Sequence, residues 1–260
     1  MNLISALILG IVEGATEFLP ISSTFHLLEI QKILRIEQTE FVKLFSVFIQ
    51  SGAILSVLLL FLKDLWQDKT LGLKVLVASV PTAIIGITLY DFIKEVLFES
   101  ELFNILIFIA VGVVFIVTEK LIKKNSLKLT QTTHDISYKH ALYIGCAQAL
   151  AIIPGVSRAG AVIIIMMLMK YHRDDSARFS FMLSIPTIFA ASALDLYESK
   201  DVAFASSANV GLLVVGFAVA FISSLIIVKW FIRYLQKHSL ELFGWYRIIV
   251  GIALLLWLSL

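Results

Sequence analysis

Residues 210–228 read Val210-Gly-Leu-Leu-Val-Val-Gly-Phe-Ala-Val-Ala-Phe-Ile-Ser-Ser-Leu-Ile-Ile-Val228, nineteen positions without a charge. As helix, at about 1.5 Å per residue, such a run approaches the ~30 Å hydrocarbon core of a bilayer. Phe45–Leu62, Leu71–Tyr90, Leu102–Leu121 and Ile248–Leu260 are further apolar runs. Backbone polar groups in lipid must pair internally, and these runs are too long and uninterrupted for barrel strands. The fold class is therefore all-α, a polytopic membrane helical bundle.

Composition agrees. The 260 residues are 59% hydrophobic and 15% charged, with a mean hydropathy of +0.94, whereas a soluble domain carries about 25% charged residues. A net charge of +2 gives no support for a nucleic-acid partner. The lone Cys146 excludes an intramolecular disulfide and reads as a small packing residue. The first apolar stretch lacks a basic n-region and is interrupted by Glu13 and Glu17, so it is expected to stay in the mature chain rather than be cleaved as a signal.

Two segments resemble each other. Ala6-Leu-Ile-Leu-Gly10-Ile-Val-Glu13 leads to Pro20-Ile-Ser-Ser23, and Ala141-Leu-Tyr-Ile-Gly145-Cys-Ala-Gln148 leads to Pro154-Gly-Val-Ser157. Pro20 pairs with Pro154 and Ser23 with Ser157 at an offset of 134, which also aligns Phe45-Ser46 with Phe179-Ser180. The chain reads as one membrane domain, 1–260: a first repeat over about 1–122, a linker over about 123–138 and a second repeat over about 139–260. Helices are expected near 3–18, 24–35, 41–63, 71–92, 101–122, 139–152, 158–170, 175–197, 208–236 and 243–259. Pro20 and Pro154-Gly155 break two helical hairpins, because proline lacks the amide donor and biases the residue before it out of the helical region.

Basic residues set the orientation. Lys120, Lys123, Lys124, Lys128 and Lys139 crowd the linker, which should be cytoplasmic; Lys170, Arg173, Arg178, Lys229, Arg233 and Lys237 follow the same side. The loops at 91–101 and 197–208 hold one lysine each against several acids. Threaded this way, residues 63–70 lie inside, the first hairpin begins and ends outside, and the second begins and ends inside. That is an inverted-topology repeat with two re-entrant hairpins, a fold in which broken helices meet near the midplane and line a polar cavity.

Glu13 and Glu17 share one face of the first helix. A carboxylate inside a membrane is costly and is read as functional. Two side by side need one of them protonated, or a shared divalent cation. Ser22, Ser23 and Thr24 follow at a helix start, where hydroxyls either cap free amides or react. His26 beside them is a candidate acid or base. In the second half, Ser157-Arg158 stands in an apolar segment; arginine there needs an anion, and the helix start behind it offers its amides to the same group. Gln50 and Gln148 are candidate polar contacts. No P-loop, HExxH or GxSxG pattern is present. The set suits binding of a phosphate-type anion with Mg²⁺ or Ca²⁺ and its transfer or hydrolysis. A transporter, flippase or binding protein for a phosphorylated lipid is the alternative, since inverted repeats with broken helices also build transporters.

At these residues the chain resembles the undecaprenyl-diphosphate phosphatase family of the bacitracin-resistance type. The signatures are Glu13-Gly-Ala-Thr-Glu17-Phe-Leu-Pro-Ile-Ser-Ser23-Thr-Phe-His26, Gln148 to Pro154-Gly-Val-Ser157-Arg158, Phe179-Ser180 to Pro186, Ile49-Gln50-Ser-Gly52 and Tyr246-Arg247-Ile-Ile-Val-Gly251. The resemblance implies metal-dependent hydrolysis of polyprenyl diphosphate to the monophosphate and phosphate, at the outer face of the bacterial plasma membrane, recycling the lipid carrier for the cell envelope. It implies Glu13 and Glu17 as metal or proton-transfer residues, His26 as acid or base, Ser23 ahead of Ser22 as nucleophile, and Ser157 and Arg158 as diphosphate contacts. Membrane lipids and the prenyl diphosphate are the expected partners, and a homodimer stays open. The chain departs from the family pattern in having Phe25 for glycine, Ala159 for serine and Val162 for threonine; the resemblance thus implies two missing diphosphate-contacting hydroxyls.

Overall fold

The computed structural model describes residues 1–88 and 101–258. Among these residues are α-helices and short 3-10 turns, with no strand beyond an isolated bridge between Gln131 and Tyr171. The helices are α1 (Leu3–Thr16), α2 (Ser23–Ile33), α3 (Glu40–Gln67), α4 (Lys69–Thr88), α5 (Glu101–Lys123), α6 (Tyr138–Ala149), α7 (Arg158–Leu168), α8 (Arg173–Glu198), α9 (Lys200–Ala203), α10 (Ser207–Leu235) and α11 (Glu241–Leu258). Every expected helix has a counterpart, with ends shifted by a few residues; residues 89–92 and most of the loop at 91–101 lie outside the described residues. Differences arise where local caps decide. Asp68 Oδ1 accepts the Leu71 amide at 2.9 Å, so α4 starts directly after α3 instead of after a loop over 63–70. The four-residue α9 carries too little apolar pattern to be legible in sequence.

Among the described residues six helices are long and apolar enough to cross a bilayer: α3, α4, α5, α8, α10 and α11. Their outward faces are lined by Leu59, Leu76, Ile84, Leu106, Val117, Val214, Ile226, Ile249 and Leu256, all exposed, as helices facing hydrocarbon require. Four further helices are shorter: α1 has 14 residues, α2 and α7 have 11, and α6 has 12. At ~1.5 Å per residue none reaches across ~30 Å alone.

The packing pairs have a regular form. Helix α1 lies on α10, and α6 lies on α4; α3 packs on α8, and α5 on α11. Exchanging α1, α2, α3, α4 and α5 with α6, α7, α8, α10 and α11 turns these pairs into one another or into themselves. Close approach depends on small residues. A Cβ on Gly10 of α1 would meet the Gly216 carbonyl of α10 at 2.9 Å, and one on Gly145 of α6 would collide with the Ala78 carbonyl of α4.

Polar ends are secured separately. Glu119 on α5 is fully buried and accepts Arg173 Nε and the Leu240 amide, each at 2.8 Å, joining α5, α8 and the start of α11. In the linker, the Thr132 amide, at 2.7 Å, and its hydroxyl donate to Asp135 and hold that carboxyl below its usual range.

Candidate active site

Two turns meet beside the center of this bundle. In the first, α1 ends at Thr16 and α2 begins at Ser23, with Ser22 at φ 68°; in the second, α7 begins at Arg158, with Ser157 at φ 71°. Left-handed backbone at a non-glycine residue costs on the order of 1 kcal/mol and persists where surroundings hold it. The two positive-φ serines correct the serine pairing read from sequence: Ser157 corresponds to Ser22, not Ser23, and Ser23 corresponds to Arg158. Ser22 follows Glu13, and Ser157 follows Gln148, by the same nine residues. Proline stands one residue earlier in the second turn, where Gly155 at φ 89° takes the bend, so the prolines and the serines do not share one offset.

The turns enclose a cavity of about 150 Å³ lined by Glu17, Ser22, Ser23, Thr24, Gln50, Ser157 and Arg158 together with Ala151–Gly155 and Ile188. At about 30 Å³ per liquid water, that is room for several waters or a compact anionic group. Glu17 is the hub. Its Oε1 accepts Arg158 Nη2 at 3.1 Å and Nε at 3.4 Å; its Oε2 accepts the Ser23 hydroxyl. Arg158 is held further by Nη1 donating to the Ser180 carbonyl at 2.9 Å and by the Phe18 ring, 5.7 Å from the guanidinium. The Ser157 hydroxyl accepts the Gly160 amide at 3.2 Å and so caps α7.

Of the residues singled out in sequence, Glu17, Ser22, Ser23, Thr24, Gln50, Ser157 and Arg158 come together on this wall. Three do not line it. Glu13 is fully buried, and neither of its carboxyl oxygens makes a hydrogen bond. Gln148 donates to Thr82 Oγ1 at 3.0 Å and ties α6 to α4. His26 turns away: Nδ1 lies 2.7 Å from the Ser22 carbonyl and Nε2 2.7 Å from the Tyr246 hydroxyl. A carbonyl only accepts, so Nδ1 carries the hydrogen and, in the neutral ring, Nε2 takes the tyrosine proton. The departures from the family pattern also face elsewhere. Ala159 and Val162 are fully buried in the apolar core, and Phe25 stacks on Phe108 with ring centers 4.4 Å apart. Neither Ala159 nor Val162 lines the cavity.

A divalent cation fits this chemistry. Glu13 offers two orphaned carboxylate oxygens one helical turn from Glu17, and the hydroxyls nearby are hard oxygen donors. Among the described residues no three His, Cys, Asp or Glu side chains converge as a preformed metal cage, so water and a phosphate would have to complete the shell.

Sequence reasoning named Tyr246 and Arg247 only within a signature. Arg247 is fully buried and reaches both turns, donating from Nη1 to the Pro20 carbonyl at 3.1 Å and from Nη2 to the Gly155 carbonyl. Its charge at the edge of the final apolar run, directly before Ile248, was the signal available.

Comparison with known proteins adds the family. The family described as Bacitracin resistance protein BacA matches residues 6–253. A protein of Campylobacter fetus subsp. fetus named undecaprenyl-diphosphatase is 44% identical over 259 residues, covering 99% of this chain and 100% of the relative. Proteins of the same name from Wolinella succinogenes, 43% identical over the full length of both chains, and Aquifex aeolicus, 42% identical over 95% of each, are similar to the same extent.

Proposed function

The chain belongs to the bacitracin-resistance protein BacA family, and from that premise we propose that it is a membrane phosphatase that hydrolyses undecaprenyl diphosphate, or a related polyprenyl diphosphate, to the monophosphate and inorganic phosphate. The observation that carries the reading is the Ser23–Glu17–Arg158 chain on the wall of a compact polar cavity. Such a chain joins a nucleophile, a base and an anion-binding fork.

In the proposed reaction Arg158 and Ser157 hold the diphosphate, with Ser22, Thr24 and Gln50 available to its remaining oxygens. The Ser23 oxygen attacks the terminal phosphorus and passes its proton to Glu17. The bridging P–O bond breaks, the polyprenyl monophosphate leaves, and a phosphoserine remains. Glu17 returns its proton to the departing monophosphate. Water then attacks the same phosphorus, giving a proton to Glu17, which passes it to the leaving Ser23 oxygen, so that free phosphate and the Ser23 hydroxyl are regenerated. Arg158 serves both steps by meeting negative charge with two parallel N–H groups. Glu13 and Glu17 are the residues that would hold Mg²⁺ or Ca²⁺, which when bound neutralises the diphosphate and polarises its P–O bonds. His26 holds the turn that carries Ser23 rather than acting on the substrate.

The topology belongs to this proposal too. Short helix pairs α1–α2 and α6–α7 enter from opposite faces of the bacterial plasma membrane and meet at the cavity as re-entrant hairpins of an inverted repeat. The exchange pattern of helix pairs and the two positive-φ serines support it. The basic linker lies in the cytoplasm, and the cavity opens to the outside.

The test is phosphate release from undecaprenyl diphosphate by the purified protein, with Mg²⁺ or Ca²⁺ and with a chelator. Release that needs the cation supports the reading. Binding of the lipid without release overturns it in favor of a carrier.

A further inference from the structure

Among the described residues Arg247 is the largest fully buried side chain, and it forms no ion pair there. Its guanidinium instead serves three backbone carbonyls from three segments. Nε donates to Phe108 on α5 at 2.9 Å, Nη1 to Pro20 in the first turn at 3.1 Å, and Nη2 to Gly155 in the second. The Phe108 and Phe115 rings cover it at 4.3 and 5.8 Å. A buried cation without a carboxylate is costly unless its donors are all directed at dipoles. Arginine spreads its donors over the three nitrogens of one rigid plane, each here meeting a different carbonyl, whereas lysine carries its three donors on a single nitrogen at the end of a flexible stem.

The neighboring residue acts on the same turn. Tyr246 bonds His26 Nε2 and stacks on its ring with centers 5.8 Å apart, while His26 Nδ1 holds the Ser22 carbonyl. One turn of α11 thus grips the first turn at Pro20 and, through His26, at Ser22, and grips the second at Gly155. These segments deliver Ser23 and Arg158 to the cavity, and neither Tyr246 nor Arg247 lines it.

We propose that Tyr246 and Arg247 are positioning residues which fix the separation of the two turns, and hence of Ser23 from Arg158, without touching substrate. The turnover arm of the test rests on the phosphatase reading; the exchange arm does not.

The experiment is hydrogen exchange by mass spectrometry on the full-length protein in detergent, comparing wild type, Arg247→Lys and Tyr246→Phe, with kcat and KM measured alongside. For Arg247→Lys, amides in 18–23 and 153–158 should exchange about 10-fold faster with the six long helices unchanged. Because small displacements cost rate steeply, kcat should fall roughly 10–100-fold with KM nearly constant. Tyr246→Phe keeps the ring and the fold. It should loosen 18–26 alone, with a smaller loss in kcat. Unchanged exchange at both turns, or acceleration spread evenly along the chain, overturns the proposal. Should Arg247→Lys not fold, Tyr246→Phe decides: faster exchange confined to the first turn supports the proposal, and no change there overturns it. Loosened turns in a protein that releases no phosphate would leave this proposal standing and remove the phosphatase reading instead.

Discussion

Glu17 sits between a hydroxyl that gives it a hydrogen bond and a guanidinium that neutralises it, so its replacement separates two effects. Glu17→Gln should lower phosphate release about 10²–10⁴-fold, the usual worth of a general base, and leave Arg158 buried beside a neutral group. The purified variant should still elute as a folded protein while its release rate drops; a rate within a few-fold of wild type would remove Glu17 from the site. At the other end of the molecule Glu119 makes a prediction about stability alone. Glu119→Gln leaves Arg173 short of its partner and should cost about 3 kcal/mol, read as a lower melting temperature with turnover per folded molecule unchanged. At this scale the sequence was informative wherever a charge interrupts an apolar run, which is why Glu13, Glu17 and Arg158 stood out. Arg247 stands at the edge of the final run, and its partners are carbonyls of distant turns, which leave no trace in composition. His26 was legible as polar and near the hydroxyls; that its ring faces Tyr246 depends on how α11 packs, which local sequence does not encode.

Helix–helix contact in this chain depends on positions without side chains. A Cβ on Gly145 would collide with the Ala78 carbonyl, where Thr82 Oγ1 also donates to the Gly145 carbonyl at 3.2 Å. Gly145→Val should therefore push α6 off α4 and cost about 1–3 kcal/mol, the usual range for overpacking. A thermal shift assay on the detergent-solubilised protein checks it, and an unchanged melting temperature would mean that the two helices are not in close contact. The spans themselves were legible, since hydropathy over about twenty residues reports directly on crossing a bilayer. The turns were only partly so. Matching Pro20 to Pro154 put Ser157 opposite Ser23, whereas the backbone aligns it with Ser22 because both take a left-handed conformation. The positive-φ serines, not the prolines, take the same place before α2 and α7.

Across the whole molecule, the first turn brings Glu17 and the hydroxyls of Ser22 and Ser23 to Arg158 of the second. The proposed inverted arrangement has a direct consequence. With Cys146 replaced by serine, single cysteines at Lys128 in the linker and at Ala205 in the α9–α10 loop should react with an impermeant maleimide from opposite faces of the membrane; labeling from the same face would refute the topology. The proposed orientation rests on lysine placement alone, which reflects insertion into the membrane rather than packing, so the labeling decides it. The repeat suggested the joining of the halves, but the Glu17–Arg158 contact depends on tertiary packing alone.

The most direct test of the account is phosphate release from undecaprenyl diphosphate by wild type and Ser23→Ala, measured side by side with Mg²⁺ present and with both proteins verified as folded. The account predicts steady turnover by wild type and a loss of about 10³-fold or more in the alanine variant, the scale for removing a nucleophile. Equal rates for the two proteins would contradict it.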